Sequence, residues 1–548
     1  MGTFPSSVGT AQRSGVFAQR HPDSSVGQKP PFEGLLVANR GEIAIRIIRA
    51  CRELGVRSIA VFSDADADAP HVVAADSAIR LGPAAPSESY LRADLLVEVA
   101  VAQHCQAVHP GYGFLSERAS FAAACADAGL TFIGPSPATL AGLGDKLAAR
   151  RAAARAGVPL IPGTSEPAAV EGEGLDRLAT VAEEIGFPLL VKASAGGGGR
   201  GMRRVDDGAA LGEALKAASR EAEAAFGDGA VYLEKYVETG RHVEVQLLGD
   251  HEGAVVALGE RDCSVQRRHQ KLVEEAPAPG LTANDRSTLH AHAVRVARAV
   301  GLRNAATAEF LLTPDGQFWF LEVNARLQVE HGISELVTGL DLVHEQLWIA
   351  AGRPLSEQVH AAAREAALPR VHALEVRISA EDPGHDFRPV PGRIGEWREP
   401  AGPGVRVDSS VWPGTWVPPE YDPLLAKVMV VAADRPSAIA RMRRALGELR
   451  VSGVQTTLPF HLWLMDQRQF VEADLSTDMV AQLWNGNQAR SDAAAGAAHA
   501  AASAYWSASP TAASASASSV DAGRTGQRPP DPGWRSVARK EGIHRWDR

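Results

Sequence analysis

Directly after the apolar run 188–191 the chain reads Lys192, Ala193, Ser194 and Ala195, then four consecutive glycines, Gly196 to Gly199, then Arg200, Gly201 and Met202. Such a run suits neither a helix nor a strand, because glycine loses the most backbone freedom on ordering and offers no side chain to pack. It therefore reads as a loop that follows a strand. Its amide N–H groups, uncovered by side chains, can fold over the oxygens of a polyphosphate while Lys192 and Arg200 offset negative charge. The run fits neither GxGxxG nor GxxxxGK[ST], so a dinucleotide turn and a Walker loop are unsupported. A merely flexible glycine hairpin is the plain alternative; the flanking lysine and the strand before it favour a nucleotide lid.

The surroundings of this loop divide into stretches of different grain. A chain of 548 residues with 45% hydrophobic residues can build several cores. Residues 1–31 lack an apolar signal core and read as a loose, Ser-rich arm. Residues 32–143 alternate strand-like and helix-like runs, which predicts an open α/β domain with parallel strands and ligands at their carboxyl ends. A connecting helix over 144–157 leads to residues 158–236, a small lobe of short strands and two helices around the glycine loop, the right size for a lid. Residues 237–487 are richer in strands, with Asp315-Gly316 marking a hairpin between two apolar runs. Residues 488–548 turn to an Ala- and Ser-rich tract with a short basic and aromatic end, and read as a flexible or weakly helical tail.

Charge and cysteine usage narrow the class of function. The net charge of −9 excludes a general basic coat for nucleic acid, so the cationic residues have to be judged locally. Cys51, Cys105, Cys125 and Cys263 lie far apart without CxxC spacing, which points to ordinary thiols in a reducing compartment rather than a zinc site. No run of about 18 apolar residues occurs. A soluble cytoplasmic protein, not bound to membrane, is the expectation.

Three further clusters carry chemistry. Glu309 and Glu322 sit on consecutive strand-like segments. Alternation puts Glu322, Asn324 and Arg326 on one face, with Phe320, Leu321 and Val323 supplying a hydrophobic setting. Two carboxylates and an amide oxygen are hard ligands suited to Mg²⁺ or Mn²⁺ beside phosphates; a solvated hairpin face is the bland alternative. The continuation to Gln328, Val329, Glu330 and His331 is denser in function than such a face needs. The run from Glu260 to Lys271 concentrates cations around Gln266 and His269, and Arg377 stands within an alternating strand. In an acidic chain these clusters suit an anionic ligand, the fixed fork of arginine matching carboxylate, bicarbonate or phosphate. An ion-pair network joining strands accounts for any one of them but poorly for the set. Glu234 and Lys235 fall at the junction of lobe and strands, where a nucleotide base or ribose can be recognised, and His242 and Glu244 alternate onto one face beyond it. Lys146 opens a helix and can serve the same ligand, although such a lysine is often only solvated.

Taken in order, GYGFLSE, GDK, VKASAGGGGRGM, EKYV, RHVEVQ, ERDCSVQRRHQKLVEEAPAP, LEVNARLQVEH and RISAEDP resemble the biotin carboxylase family of the ATP-grasp superfamily, from residue 32 to about 480. The resemblance implies an ATP-grasp fold with an open parallel α/β N-terminal domain, a Gly-rich lid and a C-terminal mixed-sheet domain. It implies an enzyme that makes carboxyphosphate from bicarbonate and ATP and then carboxylates N1′ of biotin on a carrier. Lys146, Lys192, Gly197, Gly198, Gly199, Glu234, Lys235, Val237, His242, Gln266 and His269 match nucleotide-site motifs. Glu309, Glu322 and Asn324 match positions for two Mg²⁺ or Mn²⁺ ions. Lys271, Arg326, Gln328 and Val329 resemble the bicarbonate set, Glu330 looks like the base, and Arg377 like the cation that stabilises the biotin enolate. The chain departs from the commonest pattern at Gly332, Ala195 and Glu420, none of them a proposed catalytic position. Neither Lys427 nor Lys540 sits in a Met-Lys attachment motif, so the expected partners are a biotin carboxyl carrier protein in trans and a carboxyltransferase subunit, within a homodimer-based acyl-CoA carboxylase. Urea, pyruvate or other carboxylase systems, and another ATP-grasp ligase, are the alternatives.

Overall fold

Strands β1 (Gly34–Val37), β2 (Arg57–Ser63), β3 (Ser77–Gly82), β4 (Ala107–His109) and β5 (Thr131–Phe132) lie parallel in the order β3-β2-β1-β4-β5 in the computed structural model of the chain. The residues described are 29–491 without 165, 171, 194–201 and 227, together with 493–496 and 498. The chain divides into two units, 1–491 and 492–548, and all that follows concerns the first.

β1 is buried along its whole length, which is why its sequence is an unbroken apolar run rather than an alternation. Helix α1 (Gly41–Glu53) follows it and buries Ile43, Ile47 and Ile48. The strand order reverses between β1 and β4, so the segments leaving these two strands open a crevice. Asn39 fixes that crevice by donating from Nδ2 to the carbonyls of Pro110 and Tyr112, both at 2.7 Å.

Helix α2 (Lys146–Arg155) leads to the lobe, which holds helix α3 (Gly172–Ile185), strands β6 (Leu189–Ala193) and β7 (Arg203–Val205), helix α4 (Gly208–Phe226) and strand β8 (Val231–Lys235). Its antiparallel sheet runs β7-β6-β8. Alternate residues of the sheet, Leu189, Val191, Val205 and Leu233, pack on Leu178 of α3 and Leu215 of α4, giving the lobe its own core.

Besides two-residue strands that pair in small sheets of their own, the rest of the chain holds β9 (Arg241–Gly249), β10 (Val255–Arg267), β11 (Gln270–Ala276), β12 (Asn304–Leu312), β13 (Phe318–Asn324), β14 (His372–Ser379), β15 (Val405–Ser409) and β16 (Leu424–Ala432). These eight form one antiparallel sheet, β13-β12-β9-β10-β11-β14-β16-β15. Helix α5 (Ala283–Ala299) begins with a capping box between Thr282 and Asp285. Helices α6 (His331–Thr338) and α7 (Arg435–Glu448) follow, and Ala438, Met442 and Leu446 of α7 enter the same core as Val428 and Val430 of β16.

Charged residues occupy matching rungs of this sheet. Glu322, Glu309, Glu244 and Arg261 are successive partners across β13, β12, β9 and β10. Glu274 faces Glu375 across β11 and β14, and Arg377, Lys427 and Asp408 are partners across β14, β16 and β15. Directly opposed residues share a face, so each row gathers distant parts of the chain on one side of the sheet.

Simple alternation needs one correction. It would place Phe320 with Glu322, yet Phe310 pairs with Phe320 while Glu309 pairs with Glu322. Leu321 is the extra residue of a bulge, which leaves Phe320 in the core at 0% exposure and sends Glu322 and Asn324 to the cleft side. Arg326 lies beyond the end of β13. All four cysteines are buried free thiols. Among the described residues no helix is long and apolar enough to cross a membrane.

Candidate active site

A cleft of about 1580 Å³ opens between the crevice of the parallel sheet, the lobe and the face of the large sheet that carries the charged rows. Lys192, Glu234, Lys235, Val237, His242, Gln266, His269, Lys271, Glu309, Glu322, Asn324, Arg326, Gln328, Val329, Glu330 and Arg377 all line it. Gly197, Gly198, Gly199 and the side chain of Lys146 lie outside the described residues.

Glu330 stands at the entry of α6, where its backbone caps the helix without any capping bond from its side chain. Its carboxylate instead accepts from Lys271 Nζ at 2.7 Å and from Arg377 Nη2 at 2.9 Å. Burial opposes ionisation of this group, but Lys271, Arg377 and Arg261 outweigh it and hold the carboxyl well below the usual range. Lys271 also donates to Glu244 at 2.5 Å and to Glu309 at 3.2 Å. Burial pulls the Lys271 ammonium down, yet this ring of carboxylates holds it well above the ordinary lysine value. Arg377 donates from Nε to Glu274 at 2.7 Å while reaching Glu330, so one guanidinium is braced by two carboxyls.

Arg326 and Gln328 face the same space. Arg326 Nη1 donates to Gln328 Oε1 at 2.7 Å, and its Nε lies 3.2 Å from Glu117 Oε2. Gln328 is 4% exposed, and its Nε2 has no hydrogen-bond partner among the described residues. A buried donor left open beside two cations is matched by an anion with oxygen acceptors.

Glu309 accepts from Asn324 Nδ2 at 2.7 Å and lies 2.9 Å from His242 Nε2. Glu322 is the direct cross-strand partner of Glu309, and two carboxylates with an amide are donor types that suit a Mg²⁺ or Mn²⁺ ion, provided Asn324 turns to offer its Oδ1, which lies 3.4 Å from Arg326 Nη2.

On the lobe side, Glu234 of β8 is held between Arg150 Nη1 at 2.5 Å and the Lys192 ammonium. Lys235 donates to the carbonyls of Phe187 at 2.9 Å and Gly186 at 3.2 Å, so its ammonium is tied to lobe backbone although its side chain borders the cleft. His269 follows Arg268 in a two-residue turn between β10 and β11 with φ of 49° and 66°, the twist that joins paired strands closely. That turn sets Gln266, His269 and Lys271 at one end of the cleft.

Glu117, Arg150, Glu274 and Lys427 carried no site role in the sequence reading. Glu117 and Glu274 lay inside motifs without a role of their own, Lys427 was considered only as an attachment lysine, and Arg150 and Lys427 have no local spacing to mark them.

The N-terminal domain of biotin carboxylases matches residues 31–140, the ATP-binding domain of the carbamoyl-phosphate synthase L chain matches 145–358, and the biotin carboxylase C-terminal domain matches 375–482. A biotin carboxylase of Nostoc sp. is 47% identical over 82% of this chain and 99% of that protein. A pyruvate carboxylase subunit of Methanothermobacter thermautotrophicus is 46% identical over 83% of this chain and 91% of its own length. Among solved structures, a biotin carboxylase complex with β,γ-ATP from Campylobacter jejuni shares 43% identity at a TM-score of 0.79, covering 82% of this chain and 99% of its own. The biotin carboxylase domain dimer of 2-oxoglutarate carboxylase from Hydrogenobacter thermophilus, with MgADP, ADP and bicarbonate, shares 41% at 0.78, covering 82% of this chain and 97% of its own. With these matches running through both the parallel-sheet crevice and the charged face of the large sheet, the chain belongs to the biotin carboxylase family of ATP-grasp ligases.

Proposed function

We propose that the cleft carboxylates biotin presented on a separate carrier, using bicarbonate and ATP, and that the chain serves an acyl-CoA carboxylase. The observation that most supports the carboxylating half-reaction is the placement of Glu330 against Lys271 and Arg377 beside the open amide of Gln328.

In this reading bicarbonate lies against Arg326, Gln328, Val329 and Lys271. The cations that keep Glu330 ionised also lower the proton affinity of bicarbonate, so transfer of its proton to Glu330 comes within reach despite the weak basicity of that carboxylate. The freed oxygen attacks the γ-phosphorus of ATP and ADP departs, leaving carboxyphosphate. Lys192, Glu234, Lys235, Val237, His242, Gln266, His269, the glycines 197–199 and Lys146 hold the nucleotide. Glu309, Glu322 and Asn324 hold the divalent ion, which when bound offsets the charge of the polyphosphate. Carboxyphosphate yields CO₂ and phosphate, the released phosphate takes the N1′ proton of biotin, and the nitrogen so freed forms its bond to the CO₂ carbon. Arg377 places a guanidinium where negative charge grows on the ureido oxygen, braced by Glu274 so that it need not reorganise. A lobe that closes over the cleft would keep water from carboxyphosphate.

Phosphate release from ATP should depend on bicarbonate and rise when free biotin is added. Absence of stimulation by biotin would point instead to another ATP-grasp ligase. Glu330→Gln should lower turnover about 10²- to 10⁴-fold while nucleotide binding persists. The partners expected are a biotin carrier and a carboxyltransferase, with the chain itself dimeric. Pyruvate and urea systems use the same half-reaction, and an acceptor panel run on the purified assembly, acyl-CoA thioesters against pyruvate and urea, separates them.

A further inference from the structure

Lys427 is 0% exposed in β16, a costly position for an ammonium, and the reaction outlined above gives it no part. Its Nζ donates to the carbonyl oxygen of Val329 at 2.7 Å, the peptide that joins Val329 to Glu330. It lies 3.2 Å from Glu42 Oε1 on α1 and 3.9 Å from Asp408 Oδ2 on β15. Glu42 in turn accepts from the Tyr112 hydroxyl, and both border the cleft.

Among the described residues the backbone of the loop that carries Glu330 has few other anchors: Arg326 Nη1 donates to the Leu327 carbonyl at 3.3 Å and the His331 N–H to that of Gln328 at 3.4 Å. His331 Nδ1 lies 2.8 Å from the carbonyl of Gln328, and the Glu330 side chain gives α6 no cap. The carbonyls of residues 328 and 329 are thus held by His331 and Lys427. Lys427 is also the direct cross-strand partner of Arg377. One rung of the sheet therefore reaches Glu330 twice, Arg377 at its carboxylate and Lys427 at its backbone. Because a trans peptide is planar, fixing the Val329 carbonyl also fixes the direction of the Glu330 N–H and the place of its Cα, from which the side chain leaves.

We infer that Lys427 is a positioning residue for Glu330, which it aims by gripping the Val329 carbonyl, and that through Glu42 it ties that aim to the N-terminal domain. This rests on the reading of Glu330 as the base. The cost of burying the ammonium is offset by Glu42 and Asp408, and misplacing a reacting group by about 1 Å can cost about 10²-fold in rate.

The test uses the full chain with Lys427→Met, the double variant Lys427→Met with Glu42→Gln, and Glu330→Gln. Each is assayed for melting temperature, the KM for ATP, and the kcat of bicarbonate-dependent ATP cleavage with biotin. Lys427→Met should lose about 100-fold in kcat with the KM for ATP changed by no more than about twofold. The double variant removes one positive and one negative charge together, so its melting temperature should recover while its kcat stays low. It also decides the matter should the single variant fail to fold. If kcat recovers along with stability in the double variant, Lys427 only balances charge and the inference is overturned. Native turnover in Glu330→Gln would sink the reading of the base itself. A dead Glu330→Gln beside a fully active double variant would sink the positioning role alone.

Discussion

Glu274 shows how much of a site can hang on one buried carboxyl. Burial pushes it from the ordinary 4.5 up to about 7, although Arg377 pulls it back. Between those values the folded chain keeps a proton that the unfolded chain has released, so this residue makes stability fall as pH rises from about 4.5 to about 7 and adds no further slope above that. In Glu274→Gln the loss of melting temperature between pH 5 and pH 8 should be smaller than in the native chain; equal slopes would remove Glu274 as its source. Lys271 and Glu330 were legible in the sequence because they sit in dense polar runs, and Arg377 because a cation within an alternating apolar strand stands out. Arg150, Glu274 and Lys427 were not: Arg150 and Lys427 stand among alanine-rich or apolar neighbours, Glu274 closes the run that holds Lys271 without a spacing to mark it, and all three find their partners elsewhere. Arg150 meets Glu234 across 84 positions, Arg377 meets Glu274 across 103, and Lys427 meets Val329 across 98. No periodicity reaches so far.

Helix α6 is the element whose placement matters most, because Glu330 is its first turn's neighbour. Gly332, a departure from the commonest pattern, lets the helix lie on the sheet: a Cβ there would overlap Met429 Sδ of β16, which is 0% exposed. Gly332→Ala gains about 1 kcal/mol of helix propensity and loses about 1–3 kcal/mol to overpacking, so a net loss of stability and of turnover is expected. Adding Met429→Ala should return part of the turnover by clearing the overlap. A single variant as stable and active as the native chain would show that α6 has slack. The parallel strands, the 315–316 hairpin and the two lobe helices were readable from apolar runs and turn residues. The bulge at Leu321 was not, because a one-residue insertion leaves the composition of a strand unchanged and shifts only its phase.

Across residues 29–491 the cleft draws on three bodies of structure, the parallel-sheet crevice, the lobe and the large sheet, so a ligand that spans them should stabilise all three together. Stability followed by intrinsic fluorescence should rise with magnesium and ATP, by about 2.7 kcal/mol of unfolding free energy at a hundredfold excess over the dissociation constant, and rise less with bicarbonate alone. No shift with the nucleotide would contradict its assignment to this cleft. The net charge of −9 gave no hint of this cationic interior, because Lys271, Arg326 and Arg377 are each matched by carboxyls within a few ångström. The buried thiols carry a practical consequence for watching the lobe move. Burial pushes Cys51 and Cys125 up to about 12, Cys105 up to about 11 and Cys263 well above the ordinary value, so the native chain should resist maleimide at neutral pH. A cysteine introduced on an exposed lobe position such as Arg203, with a second on an exposed position of the large-sheet body such as Leu368, would then take a donor and acceptor dye without removal of any native thiol.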